Sequence, residues 1–170
     1  DGRAAYRNHW WLFAEKRGEL RSAIRGLERV MVSTLHSHHL SFDFSDPNCV
    51  YSHGLAVFAL PTFSAFAVLQ SRPHELWARF FGSSLGDALR YTPSDCFETF
   101  PFPRDWQNNP ALEAAGRAVY QHRAQLMLAN DEGLTKTYNR FHDPDDASPG
   151  ILRLRELQRA MDRAVLDAYG

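Results

Sequence analysis

The feature that most constrains this chain is a change of hydrophobic period along its length. Leu40, Phe42 and Phe44 alternate with Ser41, Asp43 and Ser45, the period of two that sets one face of a strand against a core. Leu112, Ala115, Val119, His122 and Leu126 instead step by three and four over about five turns, the period of a long amphipathic helix. A chain that holds both patterns has to pack a sheet against helices.

The remaining segments fill in that outline. Leu20, Ile24 and Leu27 fit a helix that Gly26 weakens at its end. Val30, Met31, Val32 and Leu35 read as a strand, and Asp46-Pro47-Asn48 as a turn. A further extended run is expected from Cys49 through Tyr51 to Leu60. Phe63–Phe81 reads as helical, with Phe66, Leu69, Leu76, Trp77 and Phe80 on one face; the aromatic series reads as core. Pro73 predicts a kink or break there. Gly82-Ser83-Ser84 ends the segment, and Leu89–Thr92 and Phe97–Phe102 are expected to be extended. Ser148-Pro149 reads as an N-cap followed by the first helical position, opening a last helix with Ile151, Leu154, Leu157, Met161, Val165 and Ala168 on one face. The expected fold is α+β: a body over 1–105 with a small mixed or antiparallel sheet and flanking helices, then a C-terminal helical hairpin over 106–170.

Composition narrows the function classes. The 44% hydrophobic content belongs to a globular chain. A net charge of -1 excludes a protein that coats DNA or membrane by charge alone. Residues 1–41 nevertheless hold seven Lys and Arg against four Asp and Glu, a local balance of +3. Two cysteines make no disulfide framework, so a reduced, cytoplasmic setting is expected. No apolar run approaches the roughly 20 residues that span a bilayer, so no membrane partner is expected. The start at Asp1-Gly2-Arg3, without a leader pattern, suggests a piece of something longer.

Several motifs that carry chemistry are absent. There is no G-x-G-x-x-G, no G-x-x-x-x-G-K-[ST], no C-x-x-C and no H-E-x-x-H. Neither Lys16 nor Lys136 follows an acid by two residues. What stands out instead are clusters of donors. His36-Ser37-His38-His39 is open to three readings: a metal site, a face toward nucleic acid, or a solvated turn between strands. Arg17, Arg21, Arg25 and Arg29 recur every four residues, one basic ridge if all are helical. Gly82–Arg90 is a small-residue loop that would allow close backbone approach to a groove, with Arg90 able to donate to guanine or a phosphate; it also reads as a plain helix stop and loop.

Three stretches carry a resemblance: Phe66-Ala67-Val68-Leu69-Gln70-Ser71-Arg72-Pro73-His74-Glu75-Leu76-Trp77, then Leu89-Arg90-Tyr91-Thr92-Pro93-Ser94-Asp95, then Cys96-Phe97-Glu98-Thr99-Phe100-Pro101-Phe102-Pro103. Together they resemble the target-recognition region of large single-chain DNA methyltransferases of the Type IIG/IIL restriction-modification kind. The tail Gly133–Pro144 and the closing helix are similar to the C-terminal helical part of those chains. The resemblance implies a parent that is an adenine-N6 DNA methyltransferase using S-adenosylmethionine. Its catalytic motif and cofactor loop would lie in an upstream methyltransferase domain of the same chain. This fragment would then be non-catalytic, hold no cofactor, and read duplex DNA. The family's reader positions map to His36, His38 and His39, and to Ser83, Ser84, Asp87 and Arg90; Arg72 lies in the shared helix motif. Gly86, Asp87 and Ala88 stand where relatives often carry charged side chains, His38-His39 where Arg is common in some of them, and Pro73 departs from the usual helical residue. The rival reading is a protein-interaction module that docks on a catalytic domain through the 112–126 and 151–168 stripes without touching DNA.

Overall fold

The alternating segment pairs as its period predicts. The computed structural model describes residues 17–85 and 88–170. The aromatic stretch Trp10–Phe13 and positions Gly86 and Asp87 lie outside them. Among the described residues, β1 (Val30–Thr34), β3 (Phe42–Ser45) and β4 (Leu55–Phe58) form an antiparallel sheet of order β3-β1-β4. The register aligns Met31 with Phe44 and Phe58, and Ser33 with Phe42 and Ala56. Met31, Phe42, Ala56 and Phe58 are buried on that shared face. The expected run from Cys49 starts only at Leu55. Asp46 prolongs the turn, its carboxylate accepting from the Asn48 N–H at 2.8 Å and its carbonyl from that of Cys49 at 3.1 Å.

A second antiparallel sheet joins β2 (His36–Ser37), β6 (Ala88–Arg90) and β5 (Ser83–Leu85) in the order β2-β6-β5. Leu35 links the two sheets: its N–H donates to Gly54 and its carbonyl accepts from Tyr91, both at 2.9 Å.

The helical segment breaks as Pro73 requires. α2 is Phe63–Gln70 and α3 is Arg72–Phe81, with Ser71 extended between them at ψ 157°. In a continuous helix Pro73 would leave the Leu69 carbonyl without its N–H and clash with it. Here the His74 ring takes that carbonyl, Nδ1 donating at 2.7 Å. Ser71 Oγ donates to Val68 at 2.7 Å, and Gln158 Nε2 to Gln70 at 3.2 Å. The free Arg72 N–H donates to Asp162 at 2.8 Å. The break also re-aims α3. Its buried residues are His74 and Ala78, while Leu76, Phe80 and Phe81 are exposed, so the expected aromatic core face continues onto α3 only through Trp77.

Other expectations are corrected. α1 covers Gly18–Ile24 and the chain then turns at Gly26, φ 81°, so the four arginines do not form one helical ridge. Arg29 lies beyond the helix, stacked over Phe44 and Phe63 and donating to the Pro61 carbonyl at 2.7 Å. Phe97–Phe102 is not extended. Pro93 opens a short helix, α4 (Pro93–Cys96), and Phe97, Phe100 and Phe102 follow in turns packed ring against ring. Past residue 105 the two expected long helices are α5 (Pro110–Asn130) and α7 (Pro149–Asp167), with a shorter α6 (Leu134–His142) between them. Arg155 on α7 donates to the carbonyls of Arg140, Phe141, Asp143 and Asp146, which covers the C-terminal end of α6. Ser148 precedes α7 as expected, but its hydroxyl binds Asp146 and Arg140 rather than capping the helix.

α5 packs along α2. Gly116 is where they meet: a Cβ there would stand 2.1 Å from the Phe63 carbonyl oxygen. Glu113 accepts the Ser64 N–H at 2.8 Å, and Asn109 caps α5 itself. A single buried cluster runs from Met31 and Phe42 in the sheet through Phe66 and Leu69 to Leu112, Leu154 and Val165.

Candidate nucleic-acid interface

The pairing of the second sheet decides which side chains share a face. His36 lies opposite Arg90, and Arg90 opposite Ser83, so these three form one row across three strands. The next row is Ser37, Leu89 and Ser84. Neighbouring rows of a sheet point to opposite faces. Leu89 is buried against the body, whereas His36, Arg90 and Ser83 are exposed. One face of this sheet therefore anchors it and the other presents imidazole, guanidinium and hydroxyl to solvent. The side chains of His36, Ser83, Ser84 and Arg90 make no hydrogen bond or ion pair with other described residues.

Gly82 makes that placement possible. It ends α3, its N–H donating to the Ala78 carbonyl at 2.8 Å. A Cβ there would meet that same oxygen at 2.4 Å and the Arg90 carbonyl at 3.2 Å. Only a residue without a side chain lets β5 leave the helix this close to β6.

The histidine cluster splits. His36 joins the exposed row. His38 is exposed, and its carbonyl accepts from Arg79 Nη2 at 3.0 Å. His39 turns toward α6, where its Nε2–H donates to Asn139 Oδ1 at 2.8 Å and its ring stacks on His142 at 4.8 Å between centroids. Burial, and then the facing His39, hold the His142 imidazole below its ordinary pKa. The three histidines therefore do not converge, and among the described residues no group of three His, Cys, Asp or Glu gathers as a metal site requires. Ser84 sits beside the row but on the alternate face. Arg72 lies elsewhere, its guanidinium on Glu75 at 2.7 Å, at a cleft of about 410 Å³ that Tyr138, His142, Gln158 and Arg159 also line. Asp87 lies outside the described residues.

Sequence reasoning missed the polar groups that hold the body behind this face. Arg123 is 1% exposed. It donates to the Phe42 carbonyl at 2.8 Å, to the Tyr138 hydroxyl at 3.1 Å and to Asp43 at 3.4 Å. Gln70 completes the same knot: it accepts the Phe42 N–H at 2.9 Å and donates to the Leu40 carbonyl at 3.2 Å. His74 is wholly buried, with its second nitrogen 3.3 Å from the Tyr91 hydroxyl, and burial lowers its pKa to about 4. The available signal was the position of Arg123, four residues after Val119 on the apolar stripe.

An α+β body that offers one bare sheet face, with the buried Arg123, Gln70 and His74 tied internally, has the form of a recognition module. The comparisons with known proteins agree. The family model described as "MmeI, target recognition domain" matches residues 9–104, and the chain belongs to that family. A solved structure of the Type IIL restriction-modification enzyme MmeI in complex with DNA shares the fold over 86% of this chain, with a TM-score of 0.67 and 22% sequence identity. This chain spans 19% of the length of that one. No curated protein matches. The family expected from the sequence is thus the family found.

Proposed function

We propose that this chain reads the target sequence of duplex DNA for a restriction-modification enzyme, through the exposed face of the β2-β6-β5 sheet. The observation that carries this reading is the row His36–Arg90–Ser83, three donor side chains on one sheet face with no partners among the described residues. Strands lie about 4.8 Å apart, so such a row spans roughly 10 Å, which fits a major groove about 12 Å wide. Arg90 matches the paired acceptors of guanine, while His36 and Ser83 suit single acceptors or phosphates. Family membership and the DNA held by the matched MmeI structure support the reading.

The same reading extends to the parent protein. The chemistry would belong to a methyltransferase domain of the same polypeptide, acting on adenine N6 with S-adenosylmethionine and extruding the target base. This chain would supply selection and no reacting group. The exposed Leu76, Phe80 and Phe81 on the outer face of α3 support a contact with that domain. No described helix is long and apolar enough to cross a membrane. Both cysteines are unpaired, in keeping with a reduced cytoplasm.

The test is selection from a pool of duplexes with a randomised core, at several salt concentrations. The expected result is enrichment of one short sequence on top of a salt-dependent background. Folded protein that binds no duplex at micromolar concentration and low salt would overturn the reading.

A further inference from the structure

We propose that Arg79 and Glu75 on α3 are positioning residues for base selection, which fix the backbone at His38 and thereby the reading strand β2. The inference rests on the functional reading above. β2 is only two residues long and pairs with β6 alone. So short a strand has few ladder bonds to hold it, and its downstream end depends on other anchors. Inside the turn, Ser37 Oγ donates to the His39 carbonyl at 2.7 Å. Toward α6 the anchor is the His39 ring on Asn139. Toward α3 it is Arg79, whose guanidinium is used in two directions: Nη2 donates to the His38 carbonyl at 3.0 Å, while Nε donates to Glu75 Oε1 at 2.9 Å.

Glu75 aims that fork. Its second oxygen accepts from Arg72 at 2.7 Å, and Arg72 is itself fixed through its N–H on Asp162 of α7. The carboxylate is 16% exposed at its side chain, so neither arginine ion pair is fully open to screening. Burial alone would raise the Glu75 carboxyl; the hydrogen bonds from Arg79 and Arg72 outweigh it and hold it below its ordinary value. A chain of charge-assisted contacts thus runs from α7 through α3 to the turn that follows His36. A planar fork suits this task because it sets two directions at once, which a single ammonium does not.

The alternative role for Arg79 is a plain phosphate contact, and the two roles give different readouts. The experiment measures sequence enrichment, affinity for random duplex, its salt dependence and the melting temperature for the full chain and for R79A and R79K. Positioning predicts that R79A loses about tenfold or more of its preference for the sequence the unmodified chain selects. Affinity for random duplex and its salt slope should hold, with melting shifted by only a few degrees. R79K should lose preference in the same direction, because it keeps the charge and loses the fork. Full selectivity in R79K would overturn the proposal. So would equal weakening on every duplex with a salt slope reduced by about one, the mark of a phosphate contact. If R79A does not fold, E75Q carries the test: a several-fold loss of preference supports positioning and unchanged preference overturns it. An unmodified chain with no preference at all would instead overturn the functional reading. Selection by that chain matched by its R79A variant would overturn the positioning role alone.

Discussion

Two arginines in this molecule stand on opposite terms with their surroundings. Arg123 is sealed under the β3-β1-β4 sheet, bound to a backbone carbonyl, a tyrosine hydroxyl and a carboxylate. Arg90 stands on the outer face of the β2-β6-β5 sheet with no hydrogen bond or ion pair to the described residues. Both sheets are three-stranded and antiparallel. They differ in what their polar groups are committed to. A buried guanidinium is tolerable only when its donors are engaged. A donor left unengaged in water costs little, and it remains available to a ligand that offers acceptors. The same residue type thus serves cohesion in one sheet and suits recognition in the other.

The largest effect should come from breaking the cohesive side. Arg123→Ala leaves the Phe42 carbonyl, Tyr138 and Asp43 without their shared donor. We expect it to cost about 3–5 kcal/mol, read as a lower urea midpoint. Next is acid. His74 has its pKa lowered to about 4 in the fold, by burial, against 6.5 as its ordinary value. The unfolded chain therefore binds more protons between those values. The contribution of a neutral His74 is complete above about pH 6.5 and declines as the pH falls toward 4. The decline should be on the order of 2–3 kcal/mol, and an H74Q variant, compared by urea unfolding across that window, should lack it.

Gly116→Ala follows. Its methyl meets backbone at the α2–α5 contact, so the helices must part, at about 1–3 kcal/mol in the same assay. The smallest stability effect belongs to the bare face of the second sheet. Arg90→Ala should change unfolding free energy by no more than about 0.5 kcal/mol, because nothing in the body leans on the guanidinium.

How much of this was legible in the sequence follows the same division. Local rules placed β1 and β3 from their periods, the break before Pro73, and the start of α7 behind Ser148. They failed where the deciding partner is distant. Arg123 reads as an interruption of an apolar stripe until Phe42, 81 positions earlier, supplies a carbonyl for it. Phe97–Phe102 looks extended because aromatic runs favour strands, yet Pro93 starts a helix and the rings find each other instead. At the site, the residue types were visible, and the resemblance pointed to two segments that meet where β2 pairs with β6. The arrangement was not visible. That His36 stands beside Arg90 follows from pairing strands more than fifty residues apart. That His39 turns away follows from Asn139 and His142 on α6, a hundred positions further along the chain.

The most direct test of the central claim, that the bare face of the second sheet reads base edges, is the duplex selection run side by side on the unmodified chain and its R90A variant. R90A should keep its fold and its affinity for random duplex at low salt, but lose discrimination at one base pair by about 1–3 kcal/mol. An R90A variant that selects the same sequence with the same discrimination would contradict that claim.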